Sequence, residues 1–493
     1  MRLISLVSLT TTIAIVSLAD SSSKVFRNPN FVIFMSDDQD YLMHSLDYLP
    51  YVQRRFINEG TQFTHYHTTS ATCCPSRVSF WLGQFAHNHN VTDENRPHGS
   101  YYKFQDSHLD DAWLPLWLQQ ENYKNHYIGK FINGLDANNT AAPKGWEHFE
   151  PLISPGIYNF TNPIFSLNGG PLEKHPGVYQ TDLILEKSLA RIDDIANSDD
   201  PVPPSVIKHL FPDAKVPRDP NFNPLVQDKV GWVKDLPLLS PLQINAIDEH
   251  YRQRLRSLQA TDELVEARRN LVDNTYFIYT TDNGYHLGHH RMFAGKQTPY
   301  DTDVRIPFII RGPGIAKKQI NDSPATSSHF AATVLDLANI ERPDGLDATS
   351  LFDPKKTESF AIEFWNNNIV EGGSMETHIN NTYKAVRLVS KDFNIYYSAW
   401  CTREHELYEM NSDPYQLVNK YNRTDPNFLN RLDALLHVLH DCKGDVCQRP
   451  WNTLHKDGKV KSLKDALKPK YDEHYKALPK FRFLECKVYY DPE

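Results

Sequence analysis

Two apolar runs far apart in the chain end in the same way. Asn30-Phe31-Val32-Ile33-Phe34-Met35 runs straight into Ser36-Asp37-Asp38, and Thr275-Tyr276-Phe277-Ile278-Tyr279-Thr280-Thr281 into Asp282-Asn283-Gly284. An unbroken apolar run bounded by turn residues reads as a strand buried on both faces, the pattern of a parallel sheet. Asn125-His126-Tyr127-Ile128-Gly129 reads as a further strand, as does Arg305-Ile306-Pro307-Phe308-Ile309-Ile310-Arg311. Helical periodicity falls between them, at Leu114 to Glu121, Thr181 to Ile195 and Pro241 to Val272. Strands alternating with helices predict an α/β fold with a mostly parallel sheet flanked by helices, whose ligands gather at the carboxyl ends of the strands. Asp37, Asp38, Asp282 and Asn283 are therefore expected at one sheet edge, where four oxygen donors suit a hard divalent cation, Ca²⁺ or Mg²⁺, better than zinc. Taken singly, either pair reads more readily as a turn that follows a strand.

The flanks set the context. Residues 1–19 join a positive start to a short apolar region and end on small residues at Ala19, which predicts a cleaved signal peptide. The run is interrupted by Ser and Thr and is short for a bilayer span. With no later apolar stretch of that length, the sequence predicts no stable membrane anchor and a place in the secretory pathway, secreted or lumenal. Sequons at Asn90, Asn138, Asn159, Asn321, Asn380 and Asn422 agree with that route. A net charge of −9 with no long basic run excludes an electrostatic nucleic-acid footprint. Asp199 to Leu239, rich in Pro, Asp and Asn, reads as an irregular excursion over the surface. Around Asp353-Pro354-Lys355-Lys356 a polar stretch marks a boundary between residues 24–352 and 353–493. Strands at Phe393 to Tyr397 and Glu406 to Met410 and a helix at Phe428 to His440 predict a smaller C-terminal α+β region. No pattern specifies an oligomeric state.

In an oxidising compartment the default fate of a cysteine is a disulfide. Cys401, Cys442, Cys447 and Cys486 can form two bridges with three possible connectivities. Cys73 and Cys74 stand apart in Ala71-Thr72-Cys73-Cys74-Pro75-Ser76-Arg77, where the residues alone allow bridging to each other or to distant partners. Cys73, Pro75, Ser76 and Arg77, in the register Cys-x-Pro-Ser-Arg, resemble the signature of type I sulfatases. The resemblance covers most of the chain: Asp37-Asp38, Gly129-Lys130, Asp282-Asn283-Gly284 with Leu287-Gly288, Gly295-Lys296 and Arg305-Ile306-Pro307 follow in the family's order. Within the family the chain looks most similar to secreted arylsulfatases and N-acetylglucosamine-6-sulfatases, and the C-terminal Trp400-Cys401-Thr402, Glu406-Leu407-Tyr408 and Asp413-Pro414 fit as well.

The resemblance implies an alkaline-phosphatase-like core and an arylsulfatase-type sulfuric ester hydrolase. It implies that a formylglycine-generating enzyme oxidises Cys73 to formylglycine, whose hydrated aldehyde, a geminal diol, attacks the sulfur of a sulfate ester beside a cation held by Asp37, Asp38, Asp282, Asn283 and residue 73. The second hydroxyl then allows release of sulfate, which a plain Ser would not. Arg77 is expected to hydrogen-bond the diol, and Lys130 and Lys296 to hold sulfate oxygens. The pattern departs from the family in three places. Ile132 stands where many sulfatases carry His, Leu82-Gly83 replaces a usual Thr-Gly, and no apolar strand ending in His precedes Ser198 to Pro203. Of the remaining histidines, His286 and His290 lie beside the second acidic strand and are the candidates for proton transfer, whereas His209 matches no motif. Two alternatives stand beside the hydrolase: a phosphoester or phosphonate hydrolase using the same acidic strands, and a sulfatase-like glycan-binding protein without turnover.

Overall fold

The structure is a computed structural model that describes residues 29–196, 210–266, 274–353, 357–371 and 376–490. The expected leader at 1–19, the stretch at 198–203 and His209 lie outside the described residues, as do residues 354–356 at the expected boundary.

Five strands form the central sheet: β1 (Asn30–Ser36), β2 (Thr61–Phe63), β3 (Thr275–Thr281), β4 (Phe308–Arg311) and β5 (Gln319–Asn321), in the order β1-β3-β4-β2-β5. Every residue of β3 is buried, as its unbroken apolar run predicts. β1 and β3 pair in parallel from Asn30 opposite Thr275 to Ser36 opposite Thr281. β4 runs antiparallel to both β3 and β2, and β5 is parallel to β2. Four of the five strands therefore run in one direction, as expected of a mostly parallel sheet, and β4 makes it mixed by running back. The chain leaves β3 at its carboxyl edge, builds the loops of residues 282–307 there and re-enters from the same edge, so β4 has to run back. The strand expected at 125–129 forms at His126–Gly129, but it pairs in parallel with His148–Pro151 in a separate two-stranded ladder.

The helices α1 (Cys73–Leu82), α2 (Gln180–Ala196) and α3 (Pro241–Glu266) and the short Leu114–Gln120 helix follow the sequence periodicity. In α3, Ile247, Tyr251 and Leu255 pack with Tyr285 and Leu287, and Leu258 packs with Phe34, Phe277 and Tyr279. That stripe recurs at helical spacing and lays α3 along the sheet. Residues 210–239 are irregular apart from one short turn of helix at Gly231–Asp235. Among the described residues, no helix is long and apolar enough to cross a membrane.

The C-terminal region is an antiparallel sheet of β6 (Ser359–Phe364), β7 (Tyr383–Val389), β8 (Asn394–Trp400) and β9 (His405–Glu409), covered by α4 (Pro426–Leu439). Asp425 caps α4 by accepting from the Asn427 N–H, and Pro426 occupies its first turn. Leu432, Leu435, Leu436 and Leu439 bury against the sheet in a cluster that continues through Phe85, Val233, Met292, Tyr300 and Val304 of the preceding part. A buried ion pair crosses the same contact, with Arg387 Nε 3.1 Å from Asp301 Oδ1 and Nη2 3.2 Å from Oδ2. The bridges are Cys401–Cys486 and Cys442–Cys447, while Cys73 and Cys74 are free and buried.

Candidate active site

The β1–β3 register builds the site. Because Ser36 lies opposite Thr281, the two chains leave the sheet at one level, and Asp37-Asp38 emerge beside Asp282-Asn283. A slip of one residue would send these side chains to opposite faces. Asp38 turns out of the strand in the left-handed region, φ 58°, and its N–H donates to Asp282 Oδ1 at 3.0 Å. One oxygen from each of Asp37, Asp38 and Asp282 and the Cys73 Sγ all fall within 4.8 Å of one another. Asn283 Nδ2 donates to Asp38 Oδ1 at 2.7 Å, while Asn283 Oδ1 is buried with no hydrogen-bond partner. A buried amide oxygen lacking a donor beside three carboxylates fits a hard cation's ligand set.

Thr72 stands at the N-cap position of α1 in an extended conformation without a side-chain capping bond, Pro75 lies in the first turn, and all ten residues from Cys73 to Leu82 are buried. Gly83, at φ 69°, ends the helix in the left-handed region that glycine adopts at least cost. This start places Cys73, 1% exposed, between two ammonium groups: its Sγ is 3.1 Å from Lys130 Nζ and 3.0 Å from Lys296 Nζ. Asp37 Oδ1 and Asp38 Oδ1 lie 3.7 and 3.8 Å from the same sulfur. One turn on, Arg77 donates from Nε to Asp282 Oδ2 (2.9 Å), from Nη2 to Asp37 Oδ1 (3.1 Å) and from Nη1 to the Lys130 carbonyl (2.5 Å). The guanidinium thus braces the carboxylates and the segment that carries Lys130.

Burial pushes the Cys73 thiol well up despite Lys130 and Lys296. Burial also opposes charge on Asp37, but Lys130 and Arg77 outweigh it and hold that carboxyl well below its usual range. Burial and then the neighbouring Asp37 push Asp282 up to about 6, against Arg77. The Asp37 and Asp282 carboxyls thus repel each other across the site, a repulsion that a divalent ion between them would relieve.

A wall stands outside this inner set. Lys296 Nζ also faces Glu371 Oε1 at 3.6 Å, and the Glu371 N–H donates to the Ala294 carbonyl at 2.9 Å. Glu94 accepts from Thr72 Oγ1 at 3.0 Å, next to the nucleophile position. The Tyr158 ring lies 5.6 Å from Lys130 Nζ, and its hydroxyl accepts from Asn133 Nδ2 at 2.9 Å. On α3, His250 packs edge-on to Tyr285, and Arg254 stacks over that ring and donates to the Asp38 carbonyl. Sequence motifs singled out none of Glu94, Tyr158, His250, Arg254 and Glu371. The one available signal was the i, i+4 spacing of His250 and Arg254 beside the apolar stripe of α3.

The candidate histidines lie in different settings. His286 Nδ1 is 2.9 and 3.0 Å from the two Asp303 oxygens, and its Nε2 lies 3.4 Å from where a Cβ on Gly295 would stand. His290 packs on Tyr300, 4.7 Å between ring centroids, with both ring nitrogens buried and without a hydrogen-bond partner. Ile132 and Leu82, where the sequence departs from the family, belong to a buried apolar cluster.

A "Sulfatase" family profile matches residues 29–340, and an "N-sulphoglucosamine sulphohydrolase, C-terminal" profile matches residues 288–441. An arylsulfatase of Volvox carteri is 36% identical, covering 96% of this chain and 83% of its own length. N-acetylglucosamine-6-sulfatase of Capra hircus is 27% identical over 87% of this chain and 86% of its own length. Among solved structures, a protein bound to its substrate D-glucosamine-2-N,6-O-disulfate aligns with a TM-score of 0.62 at 20% identity, over 88% of this chain and 99% of that one. A phosphonate monoester hydrolase of Silicibacter pomeroyi aligns at 0.54 and 17% identity, over 82% of this chain and 93% of that one. At such identities the likeness establishes the fold alone.

Proposed function

The chain belongs to the sulfatase family, a sulfuric ester hydrolase by that membership, and from this premise we propose that residue 73 supplies its nucleophile and the two acidic strand ends its cation site. The observation that carries the reading is the seat of Cys73, between two ammonium groups and against two carboxylates at a helix start. The Cys73 Sγ stands here in the place that the oxygens of a formylglycine diol would take in the active protein. That group would supply a hydroxyl nucleophile, and a Ca²⁺ or Mg²⁺ ion would lower its pKa and polarise the ester.

Asp37, Asp38, Asp282 and Asn283 would hold the ion, and Arg77 keeps two of those carboxylates in place. Lys130 and Lys296 are placed to hold sulfate oxygens and to offset charge that develops during transfer. His286 is the better seated of the two proton-transfer candidates. Asp303 fixes its Nδ1, leaving Nε2 toward the Gly295-Lys296 segment. Since α1 is buried throughout, a formylglycine-generating enzyme has to read Cys73 to Arg77 before the chain folds.

The leader at 1–19, a catalytic part at 24–352 and a C-terminal subdomain at 353–493 complete the reading, with secretion or lumenal residence as the destination. Asn138, Asn159, Asn380 and Asn422 are exposed and open to glycosylation. Peptide mass mapping of active material tests the nucleophile, and only unoxidised cysteine at position 73 would end this reading. Turnover of aryl sulfates against matched aryl phosphates tests the chemistry, because the phosphonate hydrolase shares the fold. A preference for phosphate would overturn it.

A further inference from the structure

Resting on that reading, the structure assigns the outer half of the site a role in choosing the alcohol: we propose that Glu371, with Glu94, selects alcohols that carry hydroxyl or ammonium groups and rejects those that carry further negative charge. In the inner site, Asp37, Asp38 and Asp282 are matched one for one by Arg77, Lys130 and Lys296. A divalent ion leaves that set positive, which suits the sulfate end of any ester. Glu371 and Glu94 are not part of the match. Lys296 spends its short contact, 2.6 Å, on Asp38, and Glu371 stands farther off at 3.6 Å with 35% of its side chain exposed. Glu94 hangs from Thr72, one residue before the nucleophile. These two carboxylates act on each other as like charges, and both act on the Lys296 ammonium as opposite ones.

An ester seated with its sulfate among the two lysines therefore directs its alcohol past this acidic wall. On the Lys130 side lies Tyr158, 59% exposed, with its ring near Lys130 and its hydroxyl anchored by Asn133. An open aromatic face beside carboxylate acceptors suits a hydroxylated ring, which offers C–H faces to one and O–H or N–H donors to the other. A second anionic group on the alcohol would meet like charge in a half-buried setting.

The test uses three sugar sulfates that share the leaving oxygen O6 and differ at C2: glucosamine 6-sulfate, glucose 6-sulfate and N-sulfoglucosamine 6-sulfate. Binding is measured by calorimetry on Ca²⁺-loaded full-length Cys73→Ala protein, so that neither sulfate transfer nor turnover intervenes. Affinity is expected to fall in that order by about 10-fold per unit of charge, and the spread to shrink as salt rises. Glu371→Gln, which keeps the side chain's shape, narrows the spread about 10-fold, and Glu371→Asp restores part of it. A flat or reversed order, no binding of any of the three, or an unchanged spread in Glu371→Gln overturns the proposal. Turnover of 4-nitrophenyl sulfate by the wild-type protein reports on the hydrolase reading separately. The charge order without that turnover supports the inference and sinks the hydrolase reading, and the converse pattern sinks the inference alone.

Discussion

Asp282→Asn and Asp282→Ala remove the same charge but different hydrogen bonds, so the pair separates what this carboxylate does for the fold from what it does for the cation. Asp282 Oδ1 accepts from the Asp38 and Asn283 N–H groups at 3.0 and 2.9 Å, and Oδ2 accepts from Arg77 Nε at 2.9 Å. The alanine variant loses all three and leaves a guanidinium that is 3% exposed with Asp37 as its remaining charged hydrogen-bond partner. Removing one partner of a buried pair costs about 3–5 kcal/mol. At roughly 2 °C per kcal/mol, the lower end of the range for domains of about 150–250 residues, the first thermal transition should fall by roughly 6–10 °C. The asparagine variant keeps an oxygen for the two backbone donors and should lose about half as much. On this reading Ca²⁺ at 100 times its Kd would stabilise the wild-type protein by about 2.7 kcal/mol. Both variants should lose that increment, because a lost charged ligand costs more than the ~10–100-fold of an outer-shell change. Turnover of 4-nitrophenyl sulfate should vanish in both. Thermal scans in EDTA and across a Ca²⁺ series, with metal content by mass spectrometry, make the measurement. An Asp282→Asn protein with full metal content and the wild-type Ca²⁺ increment would refute the assignment.

Three further outcomes are expected. Lys130→Ala and Lys296→Ala should each lower kcat/KM for 4-nitrophenyl sulfate by about 10²–10³-fold, the scale of a lost transition-state donor, and a change within 3-fold would remove that lysine from the site. Opening Cys401–Cys486, which closes a loop of 85 residues, should destabilise the C-terminal region by about 4.6 kcal/mol, against about 2 for Cys442–Cys447 with a separation of 5. Equal midpoint shifts in denaturant for the two double Cys→Ser variants would contradict that ranking. Burial opposes the charge on Glu363 and on Asp301, but His87 with Lys384, and Arg387 with His67, hold both carboxyls below their usual range. Their stabilisation is complete above the unfolded values near pH ~4 and is lost as pH falls through the lower folded values. Acid titration followed by near-ultraviolet circular dichroism should show this, and Arg387→Met should be less stable at pH 7 yet lose less between pH ~4 and ~2.

The sequence by itself determined the element types, the acidic strand ends and the cysteine motif. The apolar runs of β1 and β3, the stripe of α3 and the β-forming runs of β8 and β9 are short-range patterns, and a chain writes these locally. It also carried the ordered residues Asp37-Asp38, Cys73 to Arg77, Lys130, Asp282-Asn283 and Lys296, and the structure brings the motif side chains together around one sulfur. Only the tertiary structure decided the direction of β4, because the sense of a strand depends on where its connection re-enters the sheet. It also chose one of three disulfide connectivities and separated His286 on Asp303 from His290 on Tyr300. Glu94, Tyr158, His250 and Glu371 reach the site from four distant segments with no spacing in common. No local pattern records such a meeting, since it comes about when the β1–β3 register and the packing of α3 and the C-terminal region close the fold.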